Sequence, residues 1–398
     1  MKSFNFFKLH KIDYLINNFI KSYKNYIYIV VFIIISIFIR NVFWNIESTD
    51  FKVFLSPWIQ YLENNGGVFG IRSIDSNYNV SYLYLLGIGV YLPISYLSLI
   101  KMISVIFDIF LASGVFLVIG EIFKHSTRKK IISLIGVSLV LLSPNVILNS
   151  SAWAQCDSIY VSFIIYSIYY YLKHKYTKSF IFLGIAFAFK LQAIFIAPLY
   201  IILYLKENKF TILNFLLIPI ISIVLYIPAL IVGRPISKLW GIYFGQIGET
   251  QDLVYNFPSI YNLIPNDPEI FRTAGVLFTI CALGIIAIYA LHTDKEYDSK
   301  DMIELGLIIV VVITYFMPGM HDRYMYIADI LSIIYCISSK KKIFIAIGIN
   351  LMSFNSYIAY LFGYPLIDMK IASLIQFVIL SMLIFNFLNN KNNKTLGE

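Results

Sequence analysis

The sequence predicts an all-α polytopic membrane protein, and three observations carry that prediction. The 398 residues are 59% hydrophobic and only 13% charged, with a mean hydropathy of +0.77, against about 25% charged residues in soluble domains. Apolar runs of membrane-spanning length recur along the whole chain. The runs are continuous rather than alternating, which selects helices over a barrel.

Taken in order, spans are expected near residues 26–46, 97–121, 131–149, 157–172, 179–189, 191–205, 211–232, 270–291, 303–318, 324–339, 343–361 and 371–388, about 11–13 transmembrane helices in all. Lys2, Lys8, Lys11, Lys21 and Lys24 precede the first span and place residues 1–25 in the cytoplasm. That span has no small-residue cleavage site and reads as an uncleaved anchor. The stretch 179–205 crosses either once, tilted, or twice as two short helices. Lysines flank it on both sides, which favours entry and return, with Lys190 near the outer face. In this topology the cytoplasmic segments hold 21 of the 31 Lys and Arg residues. The +9 net charge is therefore topological and does not point to nucleic acid. Residues 26–388 form one transmembrane unit with outer loops at about 47–96 and 233–269, expected to carry amphipathic helices. The polar tail 389–398 is expected to be cytoplasmic and disordered. Cys156, Cys281 and Cys336 show neither disulfide nor metal spacing.

Four stretches carry candidate chemistry. The first is WNIESTDFKVFLSPWIQY, Trp44–Tyr61, where the first span ends. Asp50 stands there at the head of an apolar continuation that includes Phe51, Phe54, Leu55 and Trp58. A helix of this kind lies along the membrane surface and holds the acid over a lipid-facing cavity, where it can act as a base. The second is SAWAQCDS, Ser151–Ser158, with Trp153 to stack on a sugar and Gln155 and Asp157 to bind hydroxyls or assist a metal. An interfacial tryptophan and a helix cap by Asp157 are the bland alternative, but three polar or aromatic groups coinciding at one helix mouth favour the functional reading.

The third is AFKLQAIFIAP, Ala188–Pro198, where Lys190 and Gln192 interrupt an apolar run. A cation there suits a phosphate, unless it snorkels to the headgroups. The fourth is FMPGMHDRYMYIADI, Phe316–Ile330. Pro318 and Gly319 break the helix, so His321 and Arg323 can reach a phosphate. Asp108 and Asp329 read as structural partners of cations such as Lys101 or Arg323. No Gly-rich phosphate loop, HExxH or CxxC occurs, so nucleotide hydrolysis and a protein-held zinc have no signal.

In order along the chain, TDFKVFLSPW (Thr49–Trp58), YNVSYLYLL (Tyr78–Leu86), WAQCDS (Trp153–Ser158), FAFKLQAIF (Phe187–Phe195) and MPGMHDRY (Met317–Tyr324) resemble the GT-C superfamily of integral-membrane glycosyltransferases. The likeness is to enzymes related to the dolichyl-phosphate-glucose glucosyltransferases and the GPI-anchor mannosyltransferases. The resemblance implies a GT-C fold in the cell membrane with its active site facing outside. It implies a polyprenyl-phosphate sugar donor and a glycan, lipid or protein acceptor. It places the base at Asp50 and points to His321 and Arg323 for the donor phosphate, to which the chemistry of a cation in an apolar run adds Lys190. Trp58, Tyr78, Tyr82, Trp153, Gln155, Asp157 and Gln192 are then the expected substrate contacts.

Chain chemistry agrees with this expectation. Glycoside hydrolysis uses two carboxylates because a poor leaving group must be protonated. A polyprenyl phosphate leaves readily, so one base suffices and the transfer inverts the anomeric carbon. No cofactor is required, and a divalent metal is left open. A lipid-linked oligosaccharide flippase or polysaccharide polymerase is the alternative: it uses the same basic cavity without depending on Asp50. The paired broken helices in matching halves that a transporter predicts are not visible. A non-catalytic scaffold accounts for the aromatic loops but not for Lys190 and the HDRY turn at the membrane boundary.

Overall fold

The structure, a computed structural model, describes residues 2–248, 252–293, 296–338 and 342–395. α1 (Lys2–Val42) is one continuous helix, so the amino-terminal segment is joined to the first span without a break. The first long loop carries α2 (Ser56–Asn64) and α3 (Val80–Gly89) and leads to α4 (Tyr96–Ile122). α5 (Lys129–Leu141) and α6 (Pro144–Ile147) meet at a 49° bend, where Pro144 cannot continue the hydrogen-bond ladder of α5. α7 (Asp157–Leu172), α8 (Tyr176–Phe189), α9 (Ala197–Glu207) and α10 (Leu217–Ile231) follow. The second long loop carries α11 (Ser237–Gly248), and the chain ends with α12 (Pro268–His292), α13 (Ser299–Phe316), α14 (Tyr326–Ser338), α15 (Ile343–Phe362) and α16 (Met369–Thr395).

Among the described residues, six helices are long and apolar enough to cross a membrane, and the bent pair around Pro144 makes a seventh. The chain is thus an all-α polytopic membrane protein. The shortfall against the expected 11–13 spans has a physical reason. The runs at 157–172, 179–189, 191–205, 303–318 and 324–339 fold as helices of 16, 14, 11, 18 and 13 residues, and at 1.5 Å per residue none reaches the ~30 Å of a hydrocarbon core. Residues 179–205 do form two helices, broken where Lys190 adopts an extended conformation. The tail expected to be disordered is helical as far as Thr395; residues 396–398 lie outside the described residues.

The centre of the protein is the α13–α14 hairpin. Every residue from Asp301 to Tyr315 is buried, as is every residue from Tyr326 to Tyr335. A helix apolar on all sides must sit inside the bundle. The turn joining these two helices, residues 317–325, is therefore enclosed by protein. α4 packs on α5 and α7, α7 on α8, and α8 on α10.

Two buried cations, Lys101 and Arg40, tie the end of the first span to this bundle, and the acids pair differently from the sequence expectation. Lys101 does not pair with Asp108. Its Nζ donates to the carbonyls of Phe43, Trp44 and Ile46 at 2.9, 2.8 and 2.7 Å, satisfying the chain where α1 ends. Asp108 instead receives Arg40 at 2.8 Å, with both side chains almost wholly buried. Asp329 accepts from Ser353 at 2.8 Å rather than from Arg323. Arg40→Met alone should destabilise the fold by about 3–5 kcal/mol, because it strands the Asp108 charge. The double variant Arg40→Met/Asp108→Leu should recover most of that loss. Thermal unfolding in detergent micelles reads both, and equal melting of the single and double variants would count against the pair.

Candidate functional site

With α1 ended by Lys101, the chain turns at Ser48. Its hydroxyl donates to the Trp153 carbonyl at 2.7 Å and accepts the Phe51 N–H at 3.2 Å. Asp50 thereby stands at the head of a π-helical turn, Phe51–Leu55. A second π-helical turn, Leu148–Ala152, delivers Trp153 and Gln155 from the other side. Between them Ala154 takes φ +63°, a left-handed conformation that costs a non-glycine residue energy. This kink lets both flanking side chains reach one acceptor. Trp153 Nε1 and Gln155 Nε2 donate to Asp50 Oδ2 at 2.8 and 2.7 Å.

Arg323 Nη1 adds a third bond to Oδ2 at 3.1 Å, and its guanidinium lies 5.2 Å from the Trp153 ring centre. The other oxygen, Oδ1, accepts from the Tyr360 hydroxyl at 2.8 Å, while Tyr360 takes the Asp50 N–H at 3.2 Å. Tyr360 is itself held by stacking on Trp153, ring centres 3.8 Å apart. The acid is thus oriented by four donors, yet its side chain keeps 21% exposure. A carboxylate so held, with Oδ1 carrying one hydrogen bond, can accept a proton from a hydroxyl beside it.

The charges form a chain. Lys190 is ion-paired with Asp157, Asp157 lies 3.5 Å from Arg323 Nε, and Arg323 reaches Asp50. Asn149 Nδ2 completes Asp157 with a 2.7 Å hydrogen bond. Above this chain opens a cavity of about 470 Å³, a size suited to a small ligand. Asp50, Lys190, His321, Arg323, Trp58, Tyr78, Gln155 and Gln192 all line it, as sequence predicts. Trp58, Tyr78 and Tyr82 form a ladder of ring contacts at 5.4 and 5.2 Å. Gln192, 7% exposed, has an Oε1 without a partner among the described residues.

Three expected contacts are corrected. Tyr82 is 1% exposed and supports Tyr78 from behind. Trp153 is fully buried and serves Asp50 as donor and stacking platform, so it cannot stack on a ligand. Asp157 is 1% exposed and holds Lys190 and Arg323. In each case burial moves the side chain one layer behind the cavity wall.

The HDRY turn is placed by its helix break. Gly319 takes φ +77°, and its N–H bonds the Leu253 carbonyl at 2.7 Å. Val254–Tyr255 then pairs in parallel with Met320–His321, so two short strands clip the second long loop to this turn. Tyr255 stacks flat on His321 at 4.5 Å. Asn77, Tyr255, Asn256 and Tyr360 are cavity residues that sequence reasoning missed. Tyr360 left no signal to find, being one tyrosine in an apolar helix 310 residues from Asp50.

Burial holds His321 down to about 4, with Arg323 adding to the effect and Asp50 opposing it. Burial pushes neighbouring Asp322 up to about 7, with Arg323 opposing. At pH 7 His321 therefore offers a ring N–H and no charge. The two shifts act oppositely on stability. The folded state binds fewer protons at His321 between about 4 and 6.5, so that group stabilises the protein as pH rises through the window. It binds more protons at Asp322 between about 4 and 7, so that group destabilises the protein as pH rises. Asp322→Asn should give melting temperatures that climb from pH 4 to 6.5, and His321→Gln temperatures that fall from pH 4 to 7. Profiles of both variants parallel to the native one would sink this assignment.

A divalent metal fits this site poorly. Asp50 is engaged by four donors, one of them cationic, and no three His, Cys, Asp or Glu side chains converge among the described residues. No step is derived through a metal. No known protein family matches the chain, and no curated protein does.

Proposed function

We propose that this protein is an inverting glycosyltransferase of GT-C type. It moves a sugar from a polyprenyl-phosphate donor to an acceptor hydroxyl at the extracytoplasmic membrane face, in cell-envelope glycan synthesis. The observation that carries this reading is the cavity at Asp50. One acid, its four donors, Lys190 and the HDRY turn meet there from sequence positions up to 310 residues apart.

In the reaction, Asp50 Oδ1 takes the proton of the acceptor hydroxyl. The acceptor oxygen forms its bond to the anomeric carbon from the face opposite the phosphate. The bond from that carbon to the phosphate oxygen breaks, and polyprenyl phosphate departs with the electron pair. Arg323 makes one hydrogen bond to Asp50 among the described residues, so its planar guanidinium has further donors for the departing phosphate. Lys190 and the neutral ring of His321 stand on the same wall. Trp58 and Tyr78 offer aromatic faces to the sugar.

The test is sugar transfer from radiolabelled polyprenyl-phosphate donors in membranes holding the native protein or Asp50→Asn. Transfer that requires Asp50 supports the reading. Absence of turnover with every donor would overturn it in favour of lipid-linked glycan movement or polymerisation.

A further inference from the structure

A second cavity, of about 490 Å³, lies beside the first and shares Phe54, Trp58 and Asn77 with it. Their common wall includes the Phe54 and Trp58 rings, centred 5.9 Å apart. Its charge differs from that of its neighbour. In the first cavity Lys190 and Arg323 are both neutralised, by Asp157 and Asp50. In the second, Arg234 is 3% exposed and makes no ion pair among the described residues. Its Nη1 donates to the carbonyls of Ile71 and Ile74 at 2.7 and 3.1 Å, and its Nε is buried without a hydrogen-bond partner among the described residues.

Lys238, on the first turn of α11, is a second cation on this wall and is exposed to it. The acid on the wall, Asp75, is exposed and paired with neither. A guanidinium held in protein without a counter-charge is unfavourable until an anion joins it. Phe54, 43% exposed, gives the wall an apolar edge beside its polar groups.

We propose that this second cavity binds the phosphate ester of a substrate through Arg234 and Lys238, while the reacting end of that substrate reaches past Phe54 and Trp58 to Asp50. The inference rests on the transferase reading for the reaction at Asp50, but the anion site itself does not require turnover. It adds a substrate class: at least one substrate carries a phosphate that is held outside the Asp50 cavity.

The test is equilibrium binding to the purified full chain in phosphate-free maltoside micelles, with polyprenyl monophosphate and glycerol 3-phosphate as separate probes. Lys238→Gln and Arg234→Gln should each weaken binding roughly tenfold or more, the loss of one charge-assisted hydrogen bond. Weakening with the prenyl probe alone assigns a membrane-borne phosphate, and weakening with both assigns a site for the phosphate head itself. Lys238 is exposed, so Lys238→Gln decides the matter if Arg234→Gln does not fold. Binding that ignores Lys238 and Arg234, or that falls only in Arg323→Gln, overturns the proposal. Because no turnover is measured, failure of the transferase reading would appear separately, as binding without transfer.

Discussion

Asp50→Asn should lower sugar transfer by about 10²–10⁴-fold, the usual cost of removing a general base, while the protein still inserts and melts closer to the native one than Arg323→Gln does, since Arg323 keeps Asp157 beside it. The amide keeps the shape of the carboxyl group. Its oxygen can accept from Trp153, Gln155 and Arg323, which meet at Oδ2. Its NH₂ can donate to the Tyr360 oxygen, which now accepts the Asp50 N–H. The capacity to take a proton is lost together with one of the two negative charges facing Arg323, and Asp157 still stands 3.5 Å from the guanidinium. Transfer rates and melting temperatures measured on the same preparations separate this from misfolding. If transfer is unchanged, Asp157 is a poor substitute as base, being buried behind the wall and paired with Lys190. Asp322 is the better one, since it lines the cavity and burial pushes it up to about 7.

Arg323→Gln should destabilise the protein by about 3 kcal/mol, the lower end of the range for a broken buried pair, and reduce transfer as well. The lower end applies because Arg323 and Asp50 keep 17% and 21% exposure. The guanidinium stands between two carboxylates, with Nη1 on Asp50 and Nε towards Asp157. Without it Asp157 keeps Lys190 but Asp50 keeps no ion-pair partner among the described residues, and Trp153 loses the charge over its ring. Arg323→Lys should rescue little, because an ammonium on a single stem cannot bridge both acids or offer a planar fork. Native stability and native transfer in Arg323→Lys would show that the bridge does not matter.

Much of this site was legible in the sequence because membrane chemistry makes polar residues conspicuous. Asp50, Lys190, Gln192 and the HDRY turn each interrupt apolar surroundings, where a polar group is costly. All of them reach the cavity wall or its charge chain. Helix positions were legible for the same reason, since apolar runs are a local signal. The breaks at Pro144, Lys190 and Pro318–Gly319 also fall at residues that disrupt a helix or resist burial.

Partnership was decided only by the tertiary structure. Arg40, rather than Lys101, meets Asp108 across 68 residues, and Tyr360 meets Asp50 across 310. No local pattern encodes such pairs, because they depend on which helix faces touch. Depth was decided in the same way. Trp153, Tyr82 and Asp157 are the right residue types for a sugar site, but packing places them one layer behind the wall. The same holds for Arg234, a loop cation that only the fold buries beside a cavity, without an ion-pair partner among the described residues. By itself the sequence determined where polar chemistry interrupts the membrane-spanning chain, because that is set residue by residue through transfer from water to lipid. Which of those groups face a ligand, and which hold the others in place, is set by close packing between distant segments and became visible only in three dimensions.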